Sequence, residues 1–248
     1  MLKTLFAVLI FTCAFASASV VAASDEPYFA GQQPSLAELQ QAQTKAATED
    51  KLLMLVLGAD WCHDSQALMA HFSEAEFKRQ LQQRFVVQPY DVGYVDRGFN
   101  VAQAYGQPTY YGTPTVMIID PETGQVLNKA DWQHWTNAAS RSGDEFDAYF
   151  LERSFTAPAP NNAWQQRVQA FEAQQALRVR AGFQTVSPLM QAYMASDRKT
   201  SRAEFMALWS ELADFRNKVF DATVKLSQQT EATELPQFAP QSWEESAQ

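Results

Sequence analysis

The feature that most constrains the fold is an apolar run followed by a short polar turn that contains a cysteine. Residues 52–57 are all apolar, as expected for a central strand that is covered on both faces. Residues 58–65 (GADWCHDS) follow, and a helical pattern begins near Cys62. Cys62 is therefore predicted to lie where a strand ends and a helix begins, a position at which backbone N–H groups and the helix dipole stabilise a thiolate.

The amino-terminal segment is typical of an export signal. It has one charged residue in its first 24 positions, an apolar stretch over residues 5–15, and small residues after that. Cleavage after Ala18 or after Ala23 fits the small-x-small rule, and Ala23 is preferred because polar residues follow it directly. The sequence thus predicts an exported protein of the bacterial periplasm with no membrane span after cleavage. The alternative is an uncleaved anchor, because residues 5–23 are almost long enough to cross a bilayer.

The cysteine content limits the redox chemistry. The chain has two cysteines, and Cys13 lies in the predicted signal peptide, which leaves Cys62 alone in the mature protein. An internal structural disulfide is thereby excluded, and a lone thiol in an exported protein points to an intermolecular partner or to a free reactive thiol. The net charge of −9 argues against nucleic acid and anionic membrane surfaces as partners.

The pattern of the mature chain alternates helices and strands and then becomes entirely helical. Capping boxes that begin at Ser35, Ser73, Ser142 and Ser201 each predict the start of a helix. Besides the run at 52–57, strands are predicted over residues 85–92, 115–119 and 125–127. Beyond residue 160, apolar residues recur at helical spacing in stripes that are expected to be packing surface.

These patterns divide the chain into five segments. They are a signal peptide (1–23), an α/β domain (24–156), a linker (157–162), a helical extension (163–228) and a polar tail (229–248). Pro188 is predicted to begin a short helix inside the extension. The tail is expected to be loose. We expect the extension to dock on the α/β domain, because its apolar stripes need burial.

Two motifs resemble those of the thioredoxin family. Residues 59–65 resemble the active-site turn of that family, and residues 112–116 (GTPTV) lie where its members carry a cis-proline loop. The resemblance covers residues 27–155 and implies an α/β fold, a three-layer α/β/α sandwich with a mixed central sheet, to which the all-α extension is added. It also implies a cis Thr113–Pro114 bond against Cys62, with Thr113 and Pro114 positioning an extended client peptide.

Two departures from the thioredoxin pattern affect the chemistry. The resolving cysteine is replaced by Ser65, and Val56 stands where thioredoxins place a buried acid. Their joint loss is coherent, because that acid serves the resolving step. With one sulfur, Cys62 can form a mixed disulfide that only an outside thiol can resolve, or it can be oxidised to a sulfenic acid.

The sequence assigns roles to five residues of the turn. Cys62 is the predicted nucleophile, and Ser65 is predicted to donate a hydrogen bond to its thiolate. Trp61, His63 and Asp64 are expected to tune the thiol. A protonated His63 would favour the thiolate, whereas the neighbouring carboxylates would disfavour it, so the sign of the sum stays open. Helix capping by Asp64 or Ser65, and the filling of a surface groove by Trp61, are the alternatives.

Two functions fit these residues. The first is an exported monothiol thiol–disulfide exchange protein of the reductase or isomerase type. It would act on a client protein or on a low-molecular-weight thiol or disulfide, without a cofactor. The second is a non-catalytic binding or chaperone-like module with a retired active site. The pattern fixes no oligomeric state.

Other candidate groups near these motifs are weaker. Cys62, His63, Asp64, His71 and His134 lack the spacing of metal ligands, so no metal site is predicted. Four aromatic residues could either line a peptide groove or pack in the core; they are Tyr110, Tyr111, Trp132 and Trp135.

Overall fold

A computed structural model describes residues 27–158, 162–229 and 231–245. The predicted signal peptide and both of its candidate cleavage sites lie outside the described residues. The helices and strands are α1 Leu36–Thr48, β1 Leu52–Gly58, α2 His63–Ser73, α3 Ala75–Arg84, β2 Phe85–Asp91, α4 Phe99–Ala104, β3 Thr115–Ile119, α5 Trp132–Trp135, α6 Gly143–Phe146, α7 Ala163–Ala195, α8 Arg202–Ser227 and α9 Ser242–Glu245. No helix in these ranges combines the length and hydropathy that a membrane span requires.

Strand β1 is the centre of a three-stranded mixed sheet in the order β2-β1-β3. It pairs in parallel with β2 and antiparallel with β3. Residues 53–57 of β1 are fully buried, as the continuous apolar run predicts. The α/β fold class with a mixed central sheet is therefore confirmed.

Side chains that alternate along β1 and β3 build two separate cores, one on each face of the sheet. Met54 and Val56 belong to the core that packs against α2, α3 and α6. Leu55 and Leu57 belong to the other core, which continues through α1 and α4 into α7 and α8. The helical extension therefore packs against the sheet domain and shares its hydrophobic core, as its apolar stripes require.

The predicted fourth strand over residues 125–127 is wrong, since only a single bridge joins Ile119 to Val126. The side chain of Asn128, which is 2% exposed, supplies two further hydrogen bonds to this edge of β3. Its Oδ1 accepts the N–H of Ile118 at 2.8 Å, and its Nδ2 donates to the carbonyl oxygen of Val116 at 2.8 Å. This edge of β3 is thus satisfied by one amide group together with two backbone hydrogen bonds, from Leu127 N–H to the carbonyl oxygen of Ile118 at 2.8 Å and from Asp120 N–H to that of Gln125 at 2.9 Å.

Two of the four predicted capping boxes are present. Ser35 and Ser142 each accept the N–H of a glutamate three residues on, and that glutamate bonds back to the serine N–H. Helices α3 and α8 begin near Ser73 and Ser201, as the sequence predicts, but neither serine forms a capping box. The Ser73 hydroxyl donates instead to the carbonyl oxygen of Met69 at 2.7 Å, inside α2. Ser201 has a left-handed backbone with φ of 52° and makes no capping bond.

Helix α7 runs unbroken through Pro188, so the prediction of a separate helix beginning there is wrong. Proline removes one backbone hydrogen bond and crowds the preceding turn. Pro188 lies on the exposed side of the helix, whereas Val186 and Met190 are buried in the shared core. Burial of these neighbours holds the helix together across the proline, because tertiary packing outweighs local propensity.

The tail is not loose throughout. Helix α9 places Trp243 in the core at 5% exposure, and its indole N–H donates to the carbonyl oxygen of Arg178 at 3.1 Å. The guanidinium of Arg178 also forms an ion pair with Glu244 at 2.5 Å. One buried aromatic residue and one ion pair therefore anchor a segment whose polar composition predicts disorder.

Candidate functional site

Cys62 is the residue directly before α2, at the carboxyl end of β1, as the sequence predicts. It is a half-buried free thiol. The thiol donates a hydrogen bond to the carbonyl oxygen of Thr113, with a sulfur–oxygen distance of 3.4 Å. The Thr113–Pro114 peptide bond is cis. The turn that carries the cysteine and the proline loop therefore meet at one place.

The pairing of β1 with β3 brings the proline loop to Cys62. Thr115, the first residue of β3, lies opposite Leu57 near the end of β1. Its hydroxyl donates to the carbonyl oxygen of Gly112 at 2.7 Å and closes the loop. A Cβ atom placed on Gly112 would lie 3.0 Å from Thr136 Cγ2, which is closer than side chains normally approach, so a side chain there would require Thr136 to shift.

The two carboxylates of the turn are bound to backbone groups. Asp60 accepts the N–H groups of residues 28–30 at 2.7–3.2 Å. Asp64 accepts the N–H of Ala139 at 3.0 Å. These donors partly offset the negative field that the sequence predicts beside the thiol, because each N–H dipole points its positive end at a carboxylate.

Ser65 does not make the predicted hydrogen bond to Cys62. Its side chain is fully buried, and its hydroxyl has no hydrogen-bond partner among the described residues. It lies against the end of β1, because a Cβ atom placed on Gly58 would be 3.0 Å from its Oγ. Helix capping by Asp64 or Ser65 is also wrong, since Cys62 occupies the N-cap position of α2. His63 is exposed at the surface.

Trp61 links the turn to two other parts of the molecule. Its indole N–H donates to the carbonyl oxygen of Gly93 at 2.6 Å. Its ring meets that of Trp209 on α8 edge to face, with centroids 6.4 Å apart. The helical extension thus forms one side of the groove that Trp61 lines.

Arg216, also on α8, is a residue of the site that sequence reasoning missed. Its guanidinium lies over the rings of Trp209 and Phe183, at 4.8 and 5.7 Å from their centroids. Burial lowers the pKa of Arg216 to about 10, while the ionisable groups of Tyr110 and Cys62 act in the opposite direction. Its Nε is buried without a hydrogen-bond partner among the described residues.

A cavity of about 220 Å³ opens beside the thiol and is built from distant parts of the chain. Trp61 and Cys62 contribute from the turn, Thr113 from the proline loop, and Trp209 and Arg216 from α8. The cavity is a composite of the sheet domain and the extension. The cavity is smaller than a typical pocket for a drug-sized ligand, and it places the nucleophile among a few polar groups.

The aromatic residues that could have lined a groove are core residues instead. Tyr110, Tyr111, Trp132 and Trp135 are each at most 2% exposed. The Tyr111 hydroxyl donates to the buried carboxylate of Glu172 on α7 at 2.8 Å. The packing interpretation is therefore confirmed for all four.

Two of the three histidines considered as metal ligands, His71 and His134, make their contacts with other residues than Cys62. His71 packs against Phe146 with ring centroids 4.1 Å apart, and it contacts Glu74 at 3.0 Å. His134 lies against Trp135 at 4.9 Å. Burial lowers the pKa of His134. The part of the chain that the structure describes contains no group of three or more potential metal ligands.

Comparison with known proteins agrees with this geometry. Residues 35–121 match the model of a thioredoxin-like family. This segment contains β1, Cys62 and the Thr113–Pro114 loop, so the chain is thioredoxin-like in the region that carries the candidate site. Helices α7 and α8 lie outside the matched segment.

One solved structure that resembles the chain is a disulphide isomerase from Xylella fastidiosa Temecula1. It is 25% identical, the match covers 51% of this chain and 96% of that chain, and the TM-score is 0.47. None of the curated proteins matches the chain.

Proposed function

We propose that the protein is an exported monothiol thiol–disulfide exchange protein that acts through Cys62. The observation that carries the proposal is the place of the thiol. It lies free at the amino end of α2, beside the Thr113–Pro114 loop and at the mouth of a cavity. A helix amino terminus stabilises the thiolate, which is the form that attacks disulfides. The thioredoxin-like match over this region supports the same chemistry.

The exchange proceeds in two steps that use one protein sulfur. The Cys62 thiolate attacks a client disulfide, bonds to one client sulfur, and releases the other as a thiolate. An external thiolate then attacks the client sulfur of the mixed disulfide, forms a new disulfide with it, and releases the Cys62 thiolate. Ser65 cannot replace the external thiol, because a hydroxyl cannot form the second disulfide.

The Thr113 carbonyl oxygen takes part in client binding. In the thiol form of the protein it accepts the Cys62 S–H. Once Cys62 is deprotonated or bonded to a client sulfur, it has no proton to donate, and the carbonyl oxygen is free to accept a client backbone N–H. Thr113 and Pro114 thereby position an extended client segment across the thiol.

Replacement of Cys62 tests the proposal. We expect Cys62→Ala and Cys62→Ser to reduce glutathione-dependent reduction and isomerisation of a scrambled disulfide protein to the buffer rate. Ser73→Ala is the matched control, because that hydroxyl bonds within α2 and lies eleven positions further along the chain. Wild-type protein quenched during turnover should carry one glutathionyl group on Cys62 by mass spectrometry. Equal rates for wild type and Cys62→Ala would refute the exchange function.

The half-buried setting of the thiol favours a second candidate, a binding module with a retired site. Cys62 is half-buried, its S–H is bonded to a carbonyl oxygen, and α8 walls one side of the cavity. If the protein is such a module, the wild type and the Cys62→Ala variant should suppress the aggregation of a reduced, denatured model protein to the same extent. Suppression that depends on Cys62 would exclude this second function.

Export is part of the proposal, since the signal-like segment lies outside the described residues. Periplasmic extracts should contain a mature chain that begins at Ser24, or at Ser19 if cleavage follows Ala18. Amino-terminal sequencing distinguishes these products. A full-length chain that remains in the membrane fraction would favour the uncleaved anchor.

A further inference from the structure

The guanidinium of Arg216 has no anionic partner in the described part of the chain. It makes no ion pair and no hydrogen bond there, and its Nε is buried. Its surroundings are aromatic rings, those of Trp209 and Phe183. An unpaired cation in such a place is costly, and burial lowers its pKa to about 10, so it is still charged at neutral pH. An anionic ligand bound beside the guanidinium would offset this cost.

The direction of the guanidinium is toward the Cys62 cavity. Arg216 lines the same cavity as Cys62, and a Cβ atom placed on Gly112 would lie 3.9 Å from Arg216 Nη1. The ionisable group of Cys62 acts electrostatically on Arg216. The cation therefore faces the space that a group bonded to Cys62 would occupy.

The other polar groups of the cavity restrict what the cation can bind. Gln133, Thr136 and Asn217 offer neutral amide and hydroxyl groups. Asp64 adds a carboxylate, which is bound to the N–H of Ala139. One guanidinium among neutral hydrogen-bonding groups and one carboxylate suits a single negative charge better than a dianion. A guanidinium also matches a carboxylate in a two-point hydrogen-bonded geometry.

We infer that Arg216 forms a carboxylate subsite beside Cys62, and that the thiol exchanged there is a small thiol that carries a carboxylate. The inference rests on the proposed exchange function for its biological use but not for its test. The cavity of about 220 Å³ accommodates a small thiol and not a folded domain. The external thiol would thus be held by its carboxylate while its sulfur reaches the mixed disulfide.

The test compares two alkylating reagents of nearly equal size. Iodoacetate carries a carboxylate and iodoacetamide is neutral, and both react with the Cys62 thiolate. Their rate ratio is independent of the thiolate fraction, because that fraction multiplies both rates. We expect the iodoacetate-to-iodoacetamide ratio of the wild type to exceed that of free cysteine by about fivefold, the effect of one ion pair at a partly exposed site. High salt should reduce this excess by screening.

Three variants separate the subsite from other roles of Arg216. Arg216→Gln should return the ratio to that of free cysteine, and Arg216→Lys should keep most of the excess. Lys218→Gln removes the same charge from an exposed position of α8 and should leave the ratio unchanged. Circular dichroism checks the fold of each variant. If Arg216→Gln does not fold, the inference is still tested by the salt dependence of the wild-type ratio and by the ratio of the Arg216→Lys variant.

A wild-type ratio equal to that of free cysteine would overturn the inference. So would Arg216→Gln if it slowed both reagents equally, because Arg216 would then act on the thiol alone. If the ratio behaves as expected and Cys62→Ala still exchanges disulfides at the wild-type rate, the exchange function fails and the subsite stands. If the exchange function and the subsite are both supported, mercaptoacetate should resolve the mixed disulfide about fivefold faster than mercaptoethanol. This difference should be present in the wild type and in Arg216→Lys, and absent in Arg216→Gln.

Discussion

The rings of Trp61 and Trp209 meet edge to face beside Cys62, with an interplanar angle of 84°. Trp61 belongs to the turn that carries the nucleophile, and Trp209 belongs to α8 of the extension. The extension is therefore part of the wall of the candidate site as well as a packing partner of the sheet. Changes far from Cys62 in the chain should alter the reactivity of its thiol.

Loss of the Trp209 ring should weaken the packing of α8 against the turn that carries Cys62. Trp209→Ala removes the contact with Trp61, the stacking on Phe205 at 6.0 Å and the ring under Arg216. We expect a loss of about 2 kcal/mol in the free energy of unfolding and a faster reaction of Cys62 with iodoacetamide. Urea denaturation and timed alkylation measure the two effects.

Met206→Ala is the matched control for Trp209→Ala. Met206 lies on the same helix and is 46% exposed, so its truncation should change stability by less than about 0.5 kcal/mol. Unchanged stability and unchanged alkylation in Trp209→Ala would mean that the ring contact does not hold the extension in place.

A second contact between the sheet domain and the helical extension involves Tyr111, which directly precedes the proline loop. The carboxylate of Glu172 on α7 is 2% exposed, accepts the Tyr111 hydroxyl and forms an ion pair with Lys129. Glu172→Gln should lower the free energy of unfolding by about 3 kcal/mol, because it leaves the Lys129 ammonium without its counter-charge. Urea denaturation checks this value against Glu204→Gln, an exposed change of equal charge on α8.

The double variant Glu172→Gln/Lys129→Met extends this test, because glutamine keeps an acceptor for the Tyr111 hydroxyl. Removal of both charges should destabilise the protein less than Glu172→Gln alone, since no buried charge is left unpaired. A double variant less stable than Glu172→Gln would indicate that the ion pair itself is net stabilising.

Alkaline pH should destabilise the protein through its buried tyrosines. Burial and the neighbouring Glu172 carboxylate raise the pKa of Tyr111 well above its ordinary value of about 10. The unfolded chain therefore loses this proton first as the pH rises. The stabilisation is complete below about pH 10 and declines as the pH rises from there toward the folded-state pKa, at about 1.4 kcal/mol per pH unit for each such tyrosine.

Tyr111→Phe isolates the contribution of this residue. The variant should show a shallower decline of the free energy of unfolding between about pH 10 and pH 11 than the wild type. Between about pH 7 and pH 9 the two curves should run parallel, because the phenol stays protonated in both states. Equal slopes above pH 10 would show that Tyr111 becomes accessible to base without unfolding.

The sequence predicts the centre of the site because its signals are local. The apolar run of β1, the start of α2 and the strand after Pro114 can each be recognised within ten residues. Two strand ends of one sheet then bring Cys62 and Thr113 together. The position of Ser65 is not predictable in this way. One turn of α2 carries its side chain behind the site, toward Gly58, and this depends on how the helix packs on the sheet.

The contribution of α8 to the site has no local signal. Arg216 and Lys218 are two positions apart on one helix, and nothing in their neighbours distinguishes the half-buried cation from the exposed one. The docking angle of the extension decides which of them faces Cys62. The anchoring of Trp243 likewise depends on a distant residue of α7, because a Cβ atom placed on Gly182 would lie 2.9 Å from the Trp243 ring.

Pro188 is the clearest case in which tertiary packing outweighs a local signal. It stands inside α7 and leaves the carbonyl oxygen four residues earlier, that of Gln184, without its helical N–H donor. Its side chain is exposed, so replacement opens no cavity. Pro188→Ala restores the donor and removes the crowding of the preceding turn. We therefore expect the free energy of unfolding to rise by about 2 kcal/mol.

Thermal and urea denaturation of Pro188→Ala measure this gain. Gln184→Ala serves as the control, because it changes an exposed side chain of the same turn and keeps every backbone donor. The direction of the effect discriminates between two roles of the proline. A gain means that the shared core holds α7 straight through an unfavourable residue. A loss would mean that the proline sets a bend that Val186 and Met190 need to reach the core together, since alanine would then remove the bend and expose one of them.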